Sequence, residues 1–140
     1  MFLWTIVTSS FYVGSFFFMT IVIFNFHTFL PKLEERFSTI VVSIKFIVNG
    51  AIITLITLGV QSLIGFEKPP LNGVYGIWFN MLFKYCSFNA ERDIKFCCFN
   101  WKIKKTIYPL VLMALCIILS FTIPIDMVVG LIYGFLEVKL

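Results

Sequence analysis

Few residues of this chain have the types and spacing that chemistry requires. The single histidine, His27, lies in a long apolar run. A catalytic or metal-binding role would need an acidic or thiol partner on the same helical face, and no Cys, Asp or Glu lies there within a turn or two. We interpret His27 as a packed or interfacial side chain, and we predict no catalytic residue, no bound metal and no cofactor.

The cysteines offer little more. The four of them lack zinc spacing. Cys97 and Cys98 are adjacent in a basic stretch, where a palmitoyl group could be attached next to a membrane. Unmodified, reduced thiols are the better interpretation.

Polar residues inside apolar runs are the remaining candidates: Lys45, Asn49, Asn80 and Asp126. An ionised side chain in hydrocarbon costs at least about 3 kcal/mol, so these groups could line a hydrophilic cavity. Simpler interpretations are also open. Lys45 could extend its ammonium to the aqueous face, and Asp126 could cap the helix that follows Pro124.

The composition places these residues in a membrane. Hydrophobic residues make up 60% of the chain, charged residues 13%, and Phe alone counts 18; the mean hydropathy is +0.99. A soluble chain of this length has no core that could bury so much apolar surface. We predict an all-α integral membrane protein with a single domain over residues 1–140. The first apolar run lacks the basic start and small-residue exit of a signal peptide.

Five helical segments must position the candidates. They are predicted at residues 11–30, 39–64, 71–86, 106–122 and 127–138, with Pro31 ending the first and residues 87–105 forming a charged, partly interfacial loop. At 1.5 Å per residue, the third and fifth segments reach only about 20–25 Å. They would thin a bilayer core of about 30 Å locally, unless the helices are longer than the predicted segments.

The basic residues predict the orientation. If the five segments cross a membrane in turn, ten of the 11 Lys and Arg residues fall on one side of it and Lys68 alone falls on the other. Positive residues favour the cytosolic side, so the N-terminus is expected on the lumenal or outer side and the C-terminus in the cytosol. The net charge of +4 therefore marks topology and not a nucleic-acid partner.

Two stretches resemble the Derlins, a family of rhomboid-like proteins without protease activity. The first is Trp4 with residues 8–11, followed after the apolar run by Leu-Glu-Glu at residues 33–35. The second starts with Pro-Leu-Val-Leu-Met at residues 109–113 and finishes with Asp126 and residues 130–137. The two stretches enclose nearly the whole chain, whereas residues 66–105 match only in hydropathy and basic charge.

The resemblance implies a rhomboid-like helical bundle that helps polypeptides cross a membrane, in most eukaryotes the retrotranslocation of misfolded proteins from the endoplasmic reticulum. Its implied partners are the lipid bilayer, client polypeptides, a membrane ubiquitin ligase and an AAA unfoldase, in a homo- or hetero-oligomer. The candidate residues for substrate contact or helix packing are Trp4, Thr8, Ser9, Ser10, Glu34, Glu35, Asp126, Gly130, Tyr133 and Gly134.

Departures from rhomboid and Derlin patterns limit what carries over. A rhomboid protease needs a Gly-x-Ser-Gly nucleophile and a histidine on the last span; residues 72–76 contain no serine and residues 127–138 no histidine. We therefore expect no enzyme. The Derlin Trp-Arg and Gly-His pairs are Trp4–Thr5 and Gly130–Leu131 here. The family's first span and its unfoldase-binding cytosolic tail have no counterpart, so direct recruitment of the unfoldase is not expected.

Two other kinds of function stay open. A Derlin-like protein could import precursor proteins across a membrane of a complex plastid, and the high Phe, Ile, Lys and Asn usage is typical of an AT-rich, reduced genome. Alternatively, the chain could be a structural subunit of a membrane complex or a remnant of a small-solute transporter.

Overall fold

The computed structural model describes residues 16–65, 73–88, 93–95, 102–120 and 124–140, which are mostly helical. The helices are α1 (Phe16–Phe37), α2 (Thr39–Ile64), α3 (Gly73–Ser87), α4 (Tyr108–Ser120) and α5 (Ile125–Lys139). Strands β1 (Asp93–Lys95) and β2 (Lys102–Lys104) pair antiparallel within the stretch expected to be a loop, with Ile94 opposite Ile103. The fold is thus helical with one small hairpin, and not strictly all-α.

The first helix does not end where the sequence predicted. α1 continues through Pro31 to Phe37, so the expected end at residue 30 is wrong, and Glu34 and Glu35 lie in a helix instead of following one. Proline removes one backbone hydrogen bond, but Phe29 and Leu33 on either side of it are buried in the core at 2% and 3% exposure. Their packing holds the helix together across the proline. The predicted start at residue 11 lies outside the described residues.

A single residue separates α1 from α2. Ser38 has φ 70° and ψ 143°, a conformation that non-glycine residues rarely adopt. Its amide donates to the Glu34 carbonyl at 2.9 Å, and its carbonyl accepts from the Val42 amide at 3.1 Å. The rings of Phe26 and Phe46 lie 5.8 Å apart, so α2 folds back along α1 directly after this bend.

Helix α3 forms the centre of the bundle. α1, α2, α4 and α5 all contact it, and Trp78, Phe79 and Asn80 have no exposed surface. Because α3 is surrounded, its polar side chains must find partners inside the protein. Most of the interior polar contacts described below begin on this helix.

Helix α2 alone, among the described helices, is long and apolar enough to cross a membrane, with a mean hydropathy of 2.1 over its most apolar part. Its 26 residues extend about 39 Å at 1.5 Å per residue. Large apolar side chains are exposed along it, among them Ile40, Ile44, Ile47 and Leu63. By contrast, α3 and α5 have 15 residues each and extend only about 22 Å.

Candidate functional site

Helices α3 and α5 run in the same direction and touch through glycines. Gly130 lies against the backbone of Gly76, and one turn later Gly134 lies against Asn80. A Cβ on Gly130 would overlap the Gly76 carbonyl, and a Cβ on Gly134 would lie 3.1 Å from the Asn80 carbonyl oxygen. Small residues let helix backbones approach this closely, so the two glycines set the spacing of the pair.

A polar cluster lies one turn further along the same contact. We call it the Glu137 cluster; its members are Lys45, Asn49, Asn80, Lys84 and Glu137. The Lys84 ammonium lies 2.5 Å from Glu137 Oε2, and the Lys45 ammonium lies 3.6 Å from Glu137 Oε1. Asn49 Nδ2 is 3.1 Å from both Asn80 Oδ1 and Glu137 Oε2, with the amide donating. The cluster therefore joins α2, α3 and α5.

Exposure increases across the Glu137 cluster from the centre of the bundle to its surface. The side chain of Lys84 is 6% exposed, that of Glu137 26% and that of Lys45 41%. A buried lysine needs its counter-ion, because a charge left alone in the interior is strongly destabilising. The Nδ2 group of Asn80 is buried without a hydrogen-bond acceptor among the described residues.

Asp126 lies near the other end of the α3–α5 contact. It is 8% exposed and stands in the first turn of α5, where Pro124 and not Asp126 occupies the cap position. Its backbone carbonyl packs against Gly76, since a Cβ there would lie 2.9 Å from the Asp126 oxygen. Asp126 Oδ2 is buried without a hydrogen-bond donor. A carboxylate in a first turn interacts favourably with the helix dipole.

The remaining sequence candidates are placed differently. Trp4, Thr8, Ser9 and Ser10 lie outside the described residues. Glu34 is half-buried and Glu35 exposed in the last turns of α1, and neither belongs to the Glu137 cluster. Tyr133 is half-buried on α5 and makes no hydrogen bond to that cluster. His27 is exposed, so the packed alternative is wrong and the interfacial one stays a prediction.

Lys84 and Glu137 were missed as site residues, although their spacing could have found them. Gly76, Asn80 and Lys84 recur every four residues along α3, and Glu137 follows Gly134 by three. Residues three or four apart share a helix face. Both stripes therefore bring an ionisable side chain to the face that carries the small residues.

This arrangement offers hydrogen-bonding groups and charge but no assembled metal site. Among the described residues, no three His, Cys, Asp or Glu side chains come together to hold an ion. The Glu137 cluster instead presents ammonium, carboxylate and amide groups side by side. No protein-family model, curated protein or solved structure matches the chain.

Proposed function

We propose that this chain is a Derlin-like, rhomboid-like pseudoprotease that spans the endoplasmic reticulum membrane several times and assists the retrotranslocation of misfolded proteins. The observation that carries the proposal is the Glu137 cluster, a charged and amide-rich group inside a bundle that exposes apolar side chains. Backbone N–H and C=O groups are costly to place in hydrocarbon. A polar surface that reaches the lipid-facing side at Lys45 lowers that cost for a passing polypeptide.

The lengths of α3 and α5 support the same proposal. Each extends about 22 Å, whereas a typical hydrocarbon core is about 30 Å thick. A bilayer adapts to short helices by thinning locally. A thinner bilayer beside the Glu137 cluster shortens the apolar path that a client must cross.

The distribution of cations supports the proposed orientation. Lys32 contacts Tyr85 and Arg36 contacts Phe88, while Lys84 pairs with Glu137 near the end of α5. The last turns of α1, α3 and α5 therefore meet at one end of the bundle, and their basic residues gather there. Positive charge favours the cytosolic side, and we assign this end to the cytosol.

The Derlin-like stretches add the identity of the partners to the proposal. Residues 109–113 and 130–137 form parts of α4 and α5, and the second of these contains the glycines that pack on α3. Client polypeptides, a membrane ubiquitin ligase and an AAA unfoldase are the partners that such a resemblance implies. Neither a catalytic residue nor a cofactor is part of the proposal.

Site-specific photocrosslinking tests whether polypeptides approach the Glu137 cluster. A photoreactive phenylalanine at Val41, which is 41% exposed and precedes Lys45 by one turn, should capture client chains. The matched control is the same probe at Leu63, which is 88% exposed and about 33 Å away along the same helix. Mass spectrometry of the adducts identifies the captured proteins.

The identity of the adducts separates the alternatives. Misfolded lumenal proteins captured at Val41 and not at Leu63 would support retrotranslocation. Capture of plastid precursor proteins instead would assign the protein to a membrane of a complex plastid and not to the endoplasmic reticulum. Only fixed subunits at both positions, without transient clients, would overturn the translocation role and favour a structural subunit.

A further inference from the structure

A cavity of about 650 Å³ lies on the α1 side of α3, apart from the Glu137 cluster. Its walls come from α1, α3, β1, the start of α4 and the turn before it. Three cationic side chains line it: Lys32, Arg36 and Lys105. Among the described residues, the lysines that form ion pairs are Lys45 and Lys84. None of the three cations of the cavity has a carboxylate oxygen of a described residue within 4.0 Å. Its three cations therefore form no ion pair among the described residues, although carboxylates also line the cavity.

Lys105 is the most unusual of these cations. It lies in the turn between β2 and α4 and is only 5% exposed, yet among the described residues its ammonium contacts a ring and forms no ion pair. That ring belongs to Tyr85, with 4.3 Å from the ammonium to the centroid. A cation–π contact offsets part of the cost of burying an ammonium, and a ring face does not replace the oxygen acceptors that the three N–H donors of lysine can bind.

Tyr85 brings the second cation to the same place. The Lys32 ammonium donates to the Tyr85 hydroxyl at 3.2 Å, which leaves the hydroxyl proton of Tyr85 able to donate in turn. The Phe29 ring stacks on Tyr85 at 5.8 Å and holds it in position. Two ammonium groups and a hydroxyl therefore meet around one aromatic ring at the cavity wall.

We propose that this cavity binds a phosphate group. Phosphate oxygens accept hydrogen bonds from several cationic donors at once, and such bonds are stronger than those between neutral groups. Two carboxylates, Glu35 and Asp93, also line the cavity, so three cations and two anions leave a formal charge of +1. That charge matches a phosphodiester, which carries one negative charge, better than a dianion.

The position of the cavity is suited to a membrane lipid as the source of the phosphate. Ile23 and Phe24 on α1 are 55% and 54% exposed, and Leu110 on α4 is 52% exposed. They lie one or two residues along the chain from Asn25 and Tyr108, which line the cavity, and they offer contact to acyl chains while the headgroup lies inside. A soluble phosphate would use the same donors without this apolar contact.

Native mass spectrometry of the full chain in detergent tests the proposal. Phosphatidylglycerol is the probe, and a galactosyl diacylglycerol without phosphate is the matched lipid control. Lys105→Met and Lys32→Met keep the aliphatic stem and remove the ammonium; each should weaken phosphatidylglycerol binding by about tenfold, the range for losing a charged hydrogen bond. Lys139→Met removes an exposed cation outside the cavity and should leave binding unchanged. Because Lys32 is exposed, its variant is expected to fold even if Lys105→Met does not.

Inorganic phosphate separates the two sources. If phosphatidylglycerol binds with this variant pattern and millimolar inorganic phosphate does not displace it, the site takes a lipid headgroup. If inorganic phosphate alone binds, and the two cavity variants abolish it, the site takes soluble phosphate. Equal binding of the galactolipid, or unchanged binding by both cavity variants, would overturn the proposal.

Discussion

The Lys84 ammonium lies 2.5 Å from Glu137 Oε2 while the lysine side chain is only 6% exposed. The partners come from different helices, and each belongs to the face that carries the close α3–α5 contact. A lysine so deeply buried depends on its carboxylate partner, because an unpaired charge in the interior is costly. This pair therefore couples the electrostatics of the Glu137 cluster to the packing of the two helices.

Removing the carboxylate should destabilise the protein. Glu137→Gln leaves Lys84 without its counter-ion, and we expect the unfolding free energy in detergent to fall by about 2–3 kcal/mol, below the value for a fully buried pair because Glu137 is partly exposed. The matched control is Glu34→Gln, a half-buried glutamate that forms no ion pair with the other described residues, and it should change stability by less than about 0.5 kcal/mol.

A double-mutant cycle isolates the pair itself. Lys84→Met combined with Glu137→Gln removes both charges, so the double variant should be more stable than the sum of the single effects predicts. Denaturant titration of all four proteins in the same micelles provides the values. Strict additivity would mean that the 2.5 Å contact contributes nothing specific.

The glycines of α5 should show a graded response to added methyl groups. Gly130→Ala places a Cβ into the Gly76 carbonyl and should destabilise by roughly 3 kcal/mol. Gly134→Ala meets the Asn80 backbone at 3.1 Å and should cost less. Gly59→Ala on α2 has nothing within 4 Å of its Cβ and should be neutral or slightly stabilising. Unfolding measurements that rank the three variants in another order would contradict the parallel packing.

Much of the helical layout follows from local sequence. The second segment, predicted at residues 39–64, coincides with α2, since a long apolar run bounded by Ser38 and Gly65 has clear limits. The error at Pro31 has a tertiary cause, because burial of Phe29 and Leu33 outweighs the lost backbone bond. The hairpin was not predicted, because three-residue strands are too short to show an alternation of polar and apolar residues.

The candidate site was predictable only in part. Asn49, Asn80 and Lys45 stood out as polar residues in apolar runs, and Gly130 and Gly134 as small residues in the last helix. Their partners could not be deduced, because the register between α3 and α5 depends on tertiary packing and cannot be derived from the local sequence of either helix. Lys84 and Glu137 lie near the ends of two different predicted segments, and only the fold shows that they meet.

The bend between α1 and α2 should be strained. Ser38 has φ 70°, a conformation that costs a non-glycine residue of order 1–3 kcal/mol. Ser38→Gly should therefore stabilise the protein by about 1 kcal/mol, whereas Ser38→Val should destabilise it, because β-branched residues tolerate positive φ poorly. Thermal unfolding in detergent checks both. A glycine variant less stable than wild type would contradict the strained bend.

Asn49 should link the Glu137 cluster to the proposed movement of clients. Asn49→Leu introduces an apolar side chain of similar size and removes the amide that bridges Asn80 and Glu137, so we expect a loss of about 1–2 kcal/mol in stability. The half-life of a misfolded lumenal client should lengthen in cells that carry this variant. Cycloheximide chase of the client, with the variant protein held at wild-type abundance, measures the effect.

A second residue on the same helix provides the control for this experiment. The Ser43 hydroxyl is exposed and, among the described residues, donates to the Thr39 carbonyl of its own helix at 2.8 Å, so Ser43→Ala should change client turnover and stability little. Stability loss in Asn49→Leu with unchanged client turnover would assign the amide to structure alone. Both variants lose a side-chain hydrogen bond on α2, but only Asn49→Leu loses it from the Glu137 cluster. Slower client turnover in Asn49→Leu, with Ser43→Ala unchanged, would therefore link the polar groups inside the bundle to transport.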